Sequence, residues 1–305
     1  MGSSRWNPDD WMSYSSSTKT KKREEIFSSR NMDKDLNPLH IKIRESRDSD
    51  INPTSNAIIV ALDVTGSMGV NADQLARKGL GVMVEEIIKR QPVSDPHIMC
   101  MGVGDAYYDT APLQVTQFEA DITIAKQLEK IWLEKGGGGN DFESYNLPWY
   151  FAALHTSIDC FEKRNKKGYL FTIGDEEAPK DLLASQIQKI FGKQEKNDYT
   201  SEQLLNMVSK MYNVYHIVVE NGNHAKYHMN EVMSSWTELL GQKVLKLANN
   251  DHLAEVIVSA IEINEGRNAH DVVKSWSGDT SITVQHAVNQ LTKKDGGSGT
   301  GVVRF

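Results

Sequence analysis

The chain has 305 residues, 39% of them hydrophobic, enough to bury the core of one α/β domain with extra segments rather than two full domains. Its 34 basic and 41 acidic residues leave a net charge of −7, which argues against a nucleic-acid-binding surface. Cys100 and Cys160 each sit in an apolar segment and read as buried hydrophobes rather than a disulfide or zinc framework; no signal-peptide order opens the chain and no apolar run approaches the ~20 residues of a membrane span, so a cytoplasmic location away from membranes is expected.

Residues 1–56 are rich in Ser, Lys, Arg, Asp and Asn and read as an accessory arm. Within it NPDDWMSY has the order of a helix start, with Asn7 as cap, Pro8 in the first turn, and Asp9 and Asp10 facing the positive end of the helix dipole. Trp6, Trp11 and Tyr14 are costly to leave in water, so the arm is expected to dock on the main domain or on a partner, its own domain being the simpler choice.

The regular pattern runs over 57–263. AIIVALD is a continuous apolar run suited to a strand covered on both faces, and 71–90 carries helical periodicity. Strands are predicted at 97–105 and 113–120, then a helix over 122–135 that GGGG terminates. LPWYFAALHTSIDCFEKR predicts one helix and GYLFTIGDEE a strand ending in acids. Helices at 179–191 and 201–212, a strand at 214–220, an edge strand in KVLKLAN and a closing helix in DHLAEVIVSAIEI complete the pattern. This alternation predicts a doubly wound, mostly parallel central sheet with helices on both faces, a Rossmann-like α/β fold. Residues 264–305 form a C-terminal extension in which periodicity weakens, ending in the glycine-rich KKDGGSGTGVVRF, which is expected to be mobile.

Loops at the carboxyl ends of parallel strands share one rim, where ligands of such sheets bind. Three of these loops are chemically loaded: DVTGSMG with Asp63, Thr65 and Ser67; GGGGNDFESYN with Asn140, Asp141 and Ser144; and TIGDEEAP with Asp175, Glu176 and Glu177. Carboxylates and hydroxyls are hard oxygen ligands that suit Mg2+, with Mn2+ or Ca2+ as substitutes, better than zinc. Singly, such residues after strands are often helix caps. Three loaded loops in this order favour a metal site.

The D-x-T-G-S-M run, the glycine-rich middle loop and the late strand-terminal aspartate resemble a von Willebrand factor A domain with a metal-ion-dependent adhesion site, over 57–263. The stretch from GVGDAYYD through Phe118 to GGGGND is similar to the branch containing hemicentin-type and alpha-kinase-linked A domains, whose middle loop is glycine-rich and acidic. The resemblance implies metal ligands at Asp63, Thr65, Ser67 and Asp175. Where better-known relatives place a threonine in the middle loop, this sequence offers Asn140, Asp141 and Ser144. Asp141 is expected to join the metal shell and leave it with about one net negative charge, weakening attraction for a partner's carboxylate. Asn140, Ser144 and Glu176 are expected to face a protein partner. The resemblance further implies a non-catalytic adaptor or assembly module that binds Mg2+, in bacteria and phages often beside a MoxR-type AAA+ ATPase.

Two alternatives compete. A haloacid-dehalogenase-like phosphohydrolase would use Asp63 as nucleophile, but its motif needs a second acid where Thr65 stands. A degenerate A domain would serve as a scaffold without metal. GGGGND lacks the lysine and hydroxyl of a P-loop, and His224 and His228 read as a solvated pair near a helix start, without the glutamate of H-E-x-x-H.

Overall fold

A computed structural model describes residues 4–134 and 142–291. Among these residues the strands are β1 (Arg44–Ser46), β2 (Asn56–Asp63), β3 (Pro96–Val103), β4 (Leu113–Val115), β5 (Thr156–Ile158), β6 (Gly168–Gly174), β7 (Tyr212–Val219) and β8 (Val244–Leu247). Six of them form a sheet in the order β4-β3-β2-β6-β7-β8. All its pairings are parallel except that of edge strand β4 with β3. The fold is therefore the doubly wound α/β architecture that the alternation predicts.

Every residue of β2 is buried, and its side chains alternate between two cores. Ile58, Val60 and Leu62 pack with the helices Leu80–Arg90 and Leu253–Asn264, while Ala57, Ile59 and Ala61 pack with Trp149, Phe151 and Trp236 on the opposite face. A strand with period-2 side chains and helices over both faces must be apolar at every position, which is why it reads as a continuous run. Leu80, Met83, Val84 and Ile87 form the buried stripe of the helix Leu80–Arg90, at the spacing of one helical face. That helix continues from Gly69–Gln74 through a π-turn at Leu75–Gly79.

Several elements differ from expectation. The segment expected as one helix around His155 is a helix (Asn146–Leu154), then β5, then a short helix (Asp159–Glu162). The interruption follows from pairing at a distance: β5 lies parallel to β1, with Glu45 opposite Ser157. The helix expected over 122–135 is confined to Thr123–Leu128, and the one expected from 179 begins at Ala184. Beyond 264 lie two further helices, Ala269–Lys274 and Gly278–Val288, which bury Val272, Val284, Ala287 and Val288 in the shared core. The tail from 292 lies outside the described residues.

The arm docks on the chain's own core. Trp6 is buried, donates from Nε1 to Pro96 O at 2.8 Å and stacks on Trp11 at 5.9 Å. Tyr14 donates to Glu129 at 2.8 Å, and Asn7 caps the helix Pro8–Thr18 by accepting from Asp9 N.

Candidate metal centre

Register places the site. Leu62 of β2 is opposite Ile173 of β6, so Asp63 ends its strand level with Gly174, and Asp175 follows immediately. These neighbouring strands lead to opposite halves of the sheet, one side running through β3 and the other through β7. The crevice at their carboxyl ends is therefore the switch point where open α/β sheets bind ligands.

Asp63 is buried, and its Oδ1 accepts from Thr65 N at 2.8 Å and Thr65 Oγ1 at 2.7 Å. Its Oδ2 accepts from the Tyr145 hydroxyl at 3.5 Å. The turn is drawn tight by Gly66, whose φ of 42° lies in the left-handed region that glycine enters without strain. Ser67 lies in the following 3-10 turn, Gly66–Met68; its side chain is outside the described structure. Asp175 Oδ2 accepts from His224 N at 2.8 Å. Gly222 makes room for this carboxylate, since a Cβ there would stand 2.3 Å from Asp175 Oδ2.

Asn140 and Asp141 lie outside the described residues. Ser144 is buried, but not beside Asp63: its Oγ accepts from Ala106 N at 2.9 Å and lies 3.4 Å from Asp105 Oδ1. The middle-loop residue that meets Thr65 is Glu143, with Oε1 3.3 Å from Thr65 Oγ1. Sequence reasoning passes over it because a glutamate in an acidic surface loop reads as solvated; here it is 2% exposed. Phe142 bridges to Glu177, tying the middle loop to the Asp175 loop. Glu176 receives Trp236 Nε1 on its backbone carbonyl at 2.9 Å.

The electrostatics are those of crowded acids. Burial pushes the Asp63 carboxyl up, against the Thr65 hydrogen bonds and with help from Asp175 and Asp109. Burial likewise raises Glu143, and Asp63, Glu176, Asp109 and Asp105 add repulsion. Asp109 is pushed up to about 6, by burial first and then by Glu134 and Asp105, although Asp105 N donates to it. Asp175 is raised by burial against the opposing pull of His224. Beneath the acids lies an aromatic floor: His216 stacks on Trp236 with ring centres 3.5 Å apart, and Tyr145 meets both edge-on. Burial holds His216 neutral, so the floor supplies no countercharge. His224 stacks on His228 at 4.7 Å, and its ring nitrogen lies 4.0 Å from Glu177.

These donors fit a hard divalent ion. Burying acids together is costly unless a cation or protons compensate. The Thr65 hydroxyl has one hydrogen and faces two carboxylates, and Glu143 Oε2 is buried with no hydrogen-bond partner. Among the described residues no three Asp, Glu, His or Cys side chains converge to hold an ion by themselves. An ion here would therefore rest on a mixture of carboxylates, hydroxyls and water, as Mg2+ does.

Fold and rim together define a doubly wound α/β protein with an acid-and-hydroxyl cluster at its topological switch point. No protein-family model matches the sequence, and no curated protein matches it. Solved structures similar to this chain include the pilus adhesin SpaC of Lactobacillus rhamnosus GG in its open conformation, with TM-score 0.43 and 10% identity over 76% of this chain and 31% of that one. A von Willebrand factor type A protein from Catenulispora acidiphila has TM-score 0.39 and 13% identity, over 70% of this chain and 43% of that one. The chain thus spans less than half the length of either.

Proposed function

We propose that this chain is a non-catalytic von Willebrand factor A-type binding module, which holds a divalent ion at the β2–β6 rim and grips a protein partner there. The observation that carries the reading is the Thr65 hydroxyl: one proton set between the carboxylates of Asp63 and Glu143 leaves a deficit of positive charge that an ion removes. Asp63, Thr65 and Ser67 would hold Mg2+, or Mn2+ or Ca2+ in its place, with Asp175 acting through water; Asp141 remains a candidate from the middle loop. A bound ion would offer an electrophilic position to an oxygen ligand from outside.

Beside the acids, Tyr107 and Tyr108 are 46% and 63% exposed, and Tyr107 meets Phe142 edge-on, with Lys180 above the Phe142 ring. Exposed aromatics beside a polar centre have the composition that protein interfaces favour. Asn140 and Glu176 belong to the same two loops and are proposed as partner contacts, and a MoxR-type AAA+ ATPase is the partner class the sequence resemblance suggests. Among the described residues no helix is long and apolar enough to cross a membrane.

The test is a thermal melt with and without Mg2+. The reading expects a rise in Tm on adding millimolar Mg2+ that EDTA reverses and Asp63→Asn abolishes, with partner capture likewise lost in EDTA. An unchanged Tm would leave a scaffold without metal. Hydrolysis of a generic phosphate ester that disappears in Asp63→Asn would instead make the protein an enzyme.

A further inference from the structure

We infer that Glu143 is an internal acidic ligand of the ion, filling from within the chain a coordination position that an acidic residue of a partner would otherwise take. The inference rests on the metal reading above and extends it to a residue that the D-x-T-G-S motif does not contain.

Three observations converge on Glu143. It is 2% exposed although it carries a carboxylate and follows an acidic, glycine-rich stretch. Its Oε1 stands 3.3 Å from Thr65 Oγ1, whose hydrogen is engaged by Asp63 Oδ1 at 2.7 Å. Its Oε2 is buried with no hydrogen-bond partner. The salt bridges of the described residues include none to Glu143, although Lys180 lies above the ring of the adjacent Phe142.

A side chain so placed takes up either a proton or a cation on its open oxygen, and a divalent ion shared with Asp63 can displace that proton. Asp63 and Glu143 then contribute two negative charges, and the Thr65 hydroxyl turns its lone pairs rather than its proton toward the ion. With Asp175 acting through water, the three carboxylates more than neutralise a divalent ion, so an incoming carboxylate gains little. Neighbours hold Glu143 in place: Phe142 pairs with the Glu177 backbone, and Ser144 is anchored to Ala106 N. The ligand is therefore braced on both sides in the chain. Partner binding at this rim would consequently depend on neutral or basic groups meeting the surrounding acids and tyrosines, rather than on a carboxylate completing the shell.

Terbium(III) is a suitable probe, because it seeks the same hard oxygens and the Tyr145 ring lies close enough to sensitise its emission. Luminescence titration gives affinity, and lifetimes in H2O and D2O count the waters on the ion. Glu143→Gln is expected to weaken terbium and Mn2+ binding by about tenfold or more and to add about one bound water. Unchanged affinity and lifetime in Glu143→Gln would overturn the inference. Should that variant fail to fold, Glu143→Asp, which withdraws the carboxylate by one methylene, is expected to add water in the same way, and an unchanged lifetime there would overturn it equally. Failure of the metal reading is separable: the wild type would then show no saturable sensitised emission, or emission that survives Asp63→Asn.

Discussion

Gly174 and the hydroxyl of Tyr145 occupy one space: a Cβ on the glycine would stand 1.8 Å from the tyrosine oxygen. The same oxygen reaches Asp63 Oδ2, so the absence of one methyl group on β6 sets where a buried acid finds its donor. Gly174→Ala must push Tyr145 off its contacts with His216 and Trp236. The expected cost is about 1–3 kcal/mol, read from urea unfolding, together with loss of the Mg2+-dependent rise in Tm. Wild-type stability and metal response in this variant would show that the tyrosine does not position Asp63.

The buried acids make a pH prediction whose sign is set by their raised carboxyl values. An acid raised in the folded state gives stability that is fully present below its unfolded value of 3.8 and is lost as pH rises through the folded one. Asp63→Asn removes that loss while keeping an oxygen to accept from Thr65. In EDTA the variant should match the wild type near pH 4 and melt higher at pH 8, where Asp63 and Asp109, raised to about 7 and about 6, are charged together. Saturating Mg2+ should close the gap at pH 8 by stabilising only the wild type. A difference independent of pH would contradict the electrostatic account.

Trp6 is an anchor of the arm, buried and bonded to the carbonyl of Pro96 at the start of β3. Trp6→Ala should cost about 3–5 kcal/mol, and Trp6→Phe, which keeps the ring against Trp11 and loses the hydrogen bond, about 1 kcal/mol. Denaturant midpoints at constant m-value measure both. An alanine variant within ~0.5 kcal/mol of wild type would mean that the arm is dispensable to the fold.

A chain ending at residue 263 should be far less stable than the full chain. Trp276 donates to Ser259 at 2.8 Å and lies under the guanidinium of Arg90 at 3.5 Å, and Arg267 pairs with the fully buried side chain of Glu262. Cutting there uncovers the apolar face of Leu253–Asn264 and removes one partner of a buried acid. Binding of a dye that reports exposed apolar surface, or aggregation at room temperature, is the expected result. A monodisperse, cooperatively melting product would refute it.

The strands of the main sheet were legible because burial on both faces forces a continuous apolar run, which few other structures tolerate. That Asp63, Thr65 and Asp175 stand at or just after strand ends was legible because strand ends can be located from those runs. Glu143 was not, since its burial depends on loops meeting across the rim rather than on any local pattern. The direction of the Ser144 hydroxyl is set in the same way, by packing across loops, which brings it to Asp105 and Ala106 N. β5 was hidden inside a helix-like stretch, because Thr156 and Ile158 become a strand only through β1.

That pairing has a consequence for synthesis. Arg47 meets Asp159 across a separation of 112 residues, and Trp6 meets Pro96 across 90. At roughly 5–20 residues per second, the arm leaves the ribosome about 6–20 s before the segment that pairs with β1 has been made. Until Pro96 has been made, 90 residues after Trp6, the tryptophans have no core to enter. The charged and hydroxylated residues that follow them, SYSSSTKTKKREE, then keep a nascent chain in solution while it waits for the segment that holds it in place.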